Sequence, residues 1–145
     1  MFKKIAVAFD ESAEAARAFQ SALELAKLMG AELTIITVIE RLPAHVSYVS
    51  AAAPEVPQIL QQEKQTFYLE LHHKAIQTAR QAGVEVTLKT IEGNEIDGLL
   101  QLLDDVLPDL LVIGLRREPG GFSGFVGGTA HHLGLHAKCN ILGIR

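Results

Sequence analysis

The sequence predicts an α/β protein built on a mostly parallel sheet with helices on both faces. Short runs of aliphatic and β-branched residues alternate along the chain with longer stretches of helical period. The most hydrophobic of these runs, Leu110-Leu111-Val112-Ile113, has no polar position, the pattern of a central strand buried on both faces. Parallel strands joined through helices take right-handed crossovers.

The elements follow in order. Ile5-Ala6-Val7-Ala8-Phe9 reads as a first buried strand. After Asp10-Glu11-Ser12, the stripe Ala15, Ala18, Phe19, Ala22, Leu23, Ala26 and Met29 marks a helix, which Gly30 ends as a C-cap glycine. Leu33 to Ile39 is the second strand. Residues 41–57, with Pro43, Pro54 and Pro57, read as a long loop. A polar-rich helix is expected from Gln58 to Ala82, with Leu60, Phe67, Leu71, Ala75 and Ala79 on its buried side. Val84 to Ile91 alternates as a half-buried or edge strand does. A helix from about Asn94 to Val106 should turn Ile96, Leu99, Leu100 and Leu103 inward, and Pro108 closes it. After the central strand come a glycine-rich loop, a short helix from about Gly128 to Ala137, and a last strand, Ile141 to Ile144.

A length of 145 residues suits one domain spanning 1–145. The hydrophobic share of 48% is enough for a sizeable core, and the disorder signature is missing. A net charge of −4 provides no general basic face, so neither nucleic acid nor an anionic membrane surface is the expected partner. The single cysteine, Cys139, allows no internal disulfide and suits a reducing compartment. The apolar start is too short for a signal segment, and no run nears the roughly 18–20 residues of a membrane span. The expected location is cytoplasmic.

In an open parallel sheet, ligands bind outside the carboxyl ends of the strands where strand order reverses. Asp10 follows the first strand and Gly114 the most hydrophobic one, so the two open into one crevice if those strands are neighbours. From Leu115 to Thr129 the chain is glycine-rich and feeds a helix N-terminus, whose unpaired N–H groups and dipole favour an anion. Arg116 and Arg117 add charge for phosphate contacts. The competing reading is a surface loop whose glycines serve turns only.

These residues resemble the universal stress protein family over nearly the whole chain. The resemblance rests on Lys3 to Ser12 with its D-x-S turn, Ala22 to Ala26, Ala31 to Leu33, Pro108 to Gly114, and Gly127 to Leu142. Only residues 41–57 fall outside it. It implies a three-layer, Rossmann-like α/β fold of the adenine nucleotide alpha hydrolase-like type, with a five-stranded parallel sheet ordered 3-2-1-4-5. It also implies ATP or a related adenine nucleotide, with or without Mg2+. In that reading Asp10 takes the adenosine side, Val38 packs near the base, Ala8 lends its backbone and Gly114 approaches the ribose. The loop through Gly127 and Gly128 holds the phosphates.

Nucleotide-binding members carry G-x2-G-x9-G-(S/T) after the fourth strand. Here Gly114 and Gly127 fill the first and third positions, while Arg117 replaces the second glycine and Gly128 the hydroxyl residue. Thr129 stands one place later, turned about 100° away on a helix. The alternative is therefore a dimeric member that has lost tight nucleotide binding and acts through protein interactions. Pairing of the last strand (Ile141, Leu142, Ile144) with its own copy is what the resemblance implies for assembly, and it protects an apolar edge.

Other features carry less. His132 and His136, at i, i+4, have no carboxylate or cysteine beside them in sequence and read as structural or surface residues, as do His72 and His73. No nucleophile elbow or P-loop occurs, so at most slow ATP hydrolysis is expected. A flavodoxin-like carrier fits poorly, since there is no Trp, and Tyr48 and Tyr68 lie away from the expected strand ends.

Overall fold

The structure, a computed structural model, describes residues 1–116 and 128–145, without the side chains of Ser47, Val49 and Ser50. Ten elements follow in order: β1 (Lys4–Ala8), α1 (Ala13–Met29), β2 (Glu32–Glu40), α2 (Val46–Ala52), α3 (Glu55–Gln81), β3 (Val86–Gly93), α4 (Glu95–Val106), β4 (Leu110–Gly114), α5 (Thr129–His136) and β5 (Asn140–Ile144). The strands form one parallel sheet in the order β3-β2-β1-β4-β5, as the resemblance implied.

Two cores follow from strand alternation. Ile5, Val7, Leu33, Ile35, Leu110 and Val112 face α1 and α3, where Ala18, Phe19, Ala22, Leu23, Ala75 and Ala79 meet them. Ala6, Ile36, Leu111 and Ile113 face the other way, towards Leu99, Leu102 and Leu103 of α4 and Leu133 of α5. Each fully buried aliphatic side chain contributes about 1.5–3 kcal/mol.

The helix ends are set locally. The Ser12 hydroxyl accepts from the Ala15 amide at 3.1 Å and caps α1. At its far end Gly30 is left-handed, with φ 63°, and the Ala31 amide returns to Ala26. Asn94 caps α4 through the amides of Ile96 and Asp97. At the amino edge of the sheet the Asp109 carboxylate accepts from the Lys3 amide at 2.8 Å and the Lys4 amide at 3.2 Å, tying β4 to β1.

Three expectations are corrected. Residues 41–57 contain α2 and the start of α3. The prolines that suggested a loop are compatible with helix because Pro54 is the N-cap of α3 and Pro57 lies in its first turn, where no amide partner is needed. On α3, Leu60 and Phe67 are not buried; they are 36% and 46% exposed. The stripe that packs inward runs through His72, Ala75 and Ala79, roughly a quarter turn round the helix from them. On α4, Leu102 is buried, whereas Ile96 and Leu100 are only partly covered.

Gly114 ends β4 directly beneath α1. A Cβ there would lie 2.5 Å from the Glu14 carbonyl oxygen, so the first turn of α1 can rest on the strand only if residue 114 has no side chain. Gly114→Ala should therefore destabilise the fold by about 1–3 kcal/mol through overpacking. Urea unfolding at neutral pH measures it, and an unchanged midpoint would show that α1 can move aside.

Candidate functional site

The order β2-β1-β4 sets the geometry of the crevice. Helices α1 and α3 cover one face of the sheet and α4 and α5 the other, so the connections switch face between β1 and β4. Ala8 pairs with Ile36, so two residues further on Asp10 and Val38 stand level; Val7 pairs with Val112, which puts Gly114 level with Phe9. Asp10, Val38 and Gly114 thus lie within one residue of a common level at the carboxyl ends of three neighbouring strands, with Ala8 two residues earlier on β1.

Each of these residues is held for a local reason. The Asp10 carboxylate accepts from the Ser12 amide through Oδ1 at 2.8 Å, an Asx turn that leads into the capped start of α1. Its second oxygen accepts no bond among the described residues. Val38 lies under α4 at Gly98, where an added Cβ would come within 2.8 Å of both valine methyls. Beyond Gly114, Leu115 donates its amide to the Ile144 carbonyl at 2.7 Å, and Arg116 is exposed.

On the phosphate side, Arg117 and Gly127 lie outside the described residues. Gly128 is the exposed N-cap of α5 and offers that helix no side-chain cap. Thr129 points its hydroxyl at the Glu95 carboxylate of α4, 3.3 Å away. An acid therefore stands beside the helix start where the sequence suggested an anion.

Sequence reasoning missed the residues that line this end on the α3 side. Lys64, Tyr68 and His72 recur at i, i+4 and i+8. The Lys64 ammonium donates to the Glu40 carbonyl at the end of β2, and the Tyr68 hydroxyl donates to Glu11 Oε2 at 3.4 Å. Tyr68 thus reaches the strand ends from which it was expected to be remote. Burial, with Glu11 and Asp10 nearby, raises its pKa to about 12, so it remains a neutral donor. His72 is 4% exposed and contacts the fully buried Thr37 hydroxyl, Nε2 to Oγ1, at 2.9 Å.

Two other features lie apart. A cavity of about 200 Å3 sits at the opposite end of β4, between the C-terminal ends of α4 and α5, and includes Leu103, Pro108 and Cys139. Burial raises the Cys139 thiol above its ordinary pKa, which disfavours a reactive thiolate. His132 and His136 stack with centroids 6.4 Å apart, and no group of three or more metal-ligating side chains occurs among the described residues.

Comparison with known families matches residues 1–145 to the model of the universal stress protein family. Among solved structures, the universal stress protein UspA from Lactobacillus plantarum superposes with a TM-score of 0.80 at 22% identity, covering 99% of this chain and 97% of that one. A universal stress protein family protein from Arabidopsis thaliana with AMP bound gives 0.70 at 21% identity, covering 98% and 90%. The universal stress protein from Archaeoglobus fulgidus in complex with dAMP gives 0.63 at 22% identity, covering 99% and 98%. At these identities the superpositions establish the fold. Comparison with curated protein sequences returned no match.

His72 should leave a pH signature. Burial holds its pKa below the ordinary 6.5, so the folded chain keeps it neutral while the unfolded chain protonates near that value. Its contribution is whole above pH 6.5 and is lost as the pH falls through that value towards the lower folded one. Urea unfolding at pH 7.5 and pH 5 should show a smaller acid-side loss for His72→Gln than for the parent. Equal losses would mean that His72 is not held neutral.

Proposed function

The chain belongs to the universal stress protein family, and from that premise we propose that it binds ATP or a related adenine nucleotide in the crevice between β1 and β4, in a stress-response or regulatory role. The observation that carries this reading is Asp10 at the switch point. One carboxylate oxygen fixes the turn and the other, which accepts no bond among the described residues, would accept from a ligand hydroxyl, the role an acidic residue plays towards a ribose in open α/β sheets. The AMP and dAMP complexes of the structural relatives support the same ligand class.

In this reading Ala8 and Gly114 present backbone, Val38 lies near the base, and Arg116, Arg117, Gly127, Gly128 and Thr129 meet the phosphates. Mg2+ accompanying the nucleotide would be held chiefly by the phosphates. No catalytic step is assigned.

The Glu95–Thr129 contact favours a second reading. A carboxylate already engages the hydroxyl nearest the start of α5 and repels added phosphate charge. That weakens the phosphate half of the site and supports a chain that acts through protein contacts, its pocket vestigial.

Mass spectrometry of nucleotide released from the purified protein, with thermal shifts on adding AMP or ATP with and without Mg2+, separates the two. The first reading expects released nucleotide or a stabilising shift, and Asp10→Ala should weaken binding about 10- to 100-fold, the loss of one charge-assisted hydrogen bond. No released nucleotide and no shift would leave the second.

The β5 edge supports self-assembly in either reading. This strand pairs only with β4 among the described strands, and Ile141, Leu142 and Ile144 are only half-buried. Sedimentation equilibrium should give about twice the 15.7 kDa chain mass. A monomer at micromolar concentration would count against pairing through β5.

A further inference from the structure

The turn that carries Asp10 is gripped from α3 on both sides of that residue. On one side is Phe9. Its amide makes the last backbone bond to β2, donating to the Ile36 carbonyl at 2.9 Å. Its carbonyl then accepts from the Thr37 hydroxyl at 2.8 Å. Thr37 has one proton to give, and it goes to Phe9. The 2.9 Å contact with His72 must therefore run the other way, with Nε2–H donating to Thr37 Oγ1. On the other side is Glu11, which accepts from Tyr68. The rings of Phe9, His72 and Tyr68 lie together, with centroids 6.4 Å and 5.9 Å apart. Phe9 also packs on Phe19 of α1 at 5.3 Å.

This arrangement costs stability unless every member is satisfied. Thr37 and His72 are the buried polar residues among those described, and no buried side-chain nitrogen or oxygen there lacks a partner. Two hydrophobic residues would fill the same space without that requirement. What the pair adds is direction: it fixes the carbonyl of the residue before Asp10 at the point where β1 leaves the sheet.

We propose that α3 acts as a clamp on the Asp10 turn, in which His72 through Thr37, together with Tyr68 through Glu11, are positioning residues for the ligand that Asp10 receives. The ligand half of this statement rests on the adenine-nucleotide reading. The clamp half stands on the contacts alone. None of these side chains need touch the ligand; they set where the carboxylate points.

The Ser12 amide reports the turn directly, because it donates to Asp10 Oδ1. Its hydrogen exchange can be followed by NMR against the Ala22 amide, in the buried middle of α1. Thr37→Val removes the hydroxyl at nearly constant volume, Thr37→Ser restores it, and Tyr68→Phe removes an exposed bond at little risk to folding. Thr37→Val and Tyr68→Phe should speed Ser12 exchange about 10-fold more than Ala22 exchange, and Thr37→Ser should return it towards the parent rate. Equal acceleration at Ser12 and Ala22 would mean that the residues only stabilise the fold, and would overturn the clamp.

Calorimetric titration with AMP tests the ligand half. Affinity should fall about 10-fold in Thr37→Val and recover in Thr37→Ser. Unchanged affinity in folded variants of a parent that does bind would overturn the positioning role. A parent that binds neither AMP nor, in the same titration, ATP removes the nucleotide reading instead, and Ser12 exchange then decides the clamp by itself.

Discussion

Most of the molecule depends on β1 and β4 lying side by side. They are far apart in the chain, and three features hold them together: the register Ile5 to Leu110 through Val7 to Val112, the Asp109 carboxylate on the Lys3 and Lys4 amides, and α1 resting on the end of β4. Because the connections pass over one face before this pair and over the other after it, the chain diverges at their carboxyl ends. The crevice is thus a consequence of chain order. Its lining begins with the residues that leave the two strands and is joined by Val38 of β2 and by α3.

The covering of the two faces is unequal. The face under α4 and α5 is closed by aliphatic packing, down to Val38 seated against Gly98. The face under α1 and α3 changes from aliphatic to polar towards the carboxyl end: Ala79 and Ala75 give way to His72, Tyr68 and Lys64. Burial of a histidine against a threonine is tolerated because the tautomer that donates to Thr37 completes a chain ending on a backbone carbonyl. The N-terminal part of α3, a helix roughly 40 Å long, leaves Ile59 and Phe67 about half exposed.

The sequence made the sheet legible because its central strands are apolar and β-branched runs, its β3 edge alternates, and its helices end at strong punctuation, Gly30 above all. The group of Asp10, Gly114, Ala8 and Val38 was legible too, once strand order was supplied by the resemblance to a family. The polar stripe of α3 was not. Leu60, Phe67 and Leu71 form a plausible apolar line, and burial followed instead the line of smaller and polar residues at a different angle. Periodicity finds the spacing of a stripe; which stripe meets the sheet is decided by packing. The segment 41–57 misled for a related reason, since proline breaks a helix interior but is compatible with its first turn. The Glu95–Thr129 contact joins the first turns of two helices 34 residues apart in sequence, which no local pattern encodes.

Gly114 changes how a glycine motif in this fold should be interpreted. The space at that position is already taken by the backbone of α1, so a glycine is required there whether a nucleotide ever enters the crevice or not. As a diagnostic character it records helix-to-strand spacing and is silent about occupancy. Sorting chains of this architecture into binders and non-binders by their glycines would therefore go wrong at the first one. On the proposed reading, the characters that bear on occupancy are the carboxylate that follows the first strand and the sign of the charge that meets the start of the last helix.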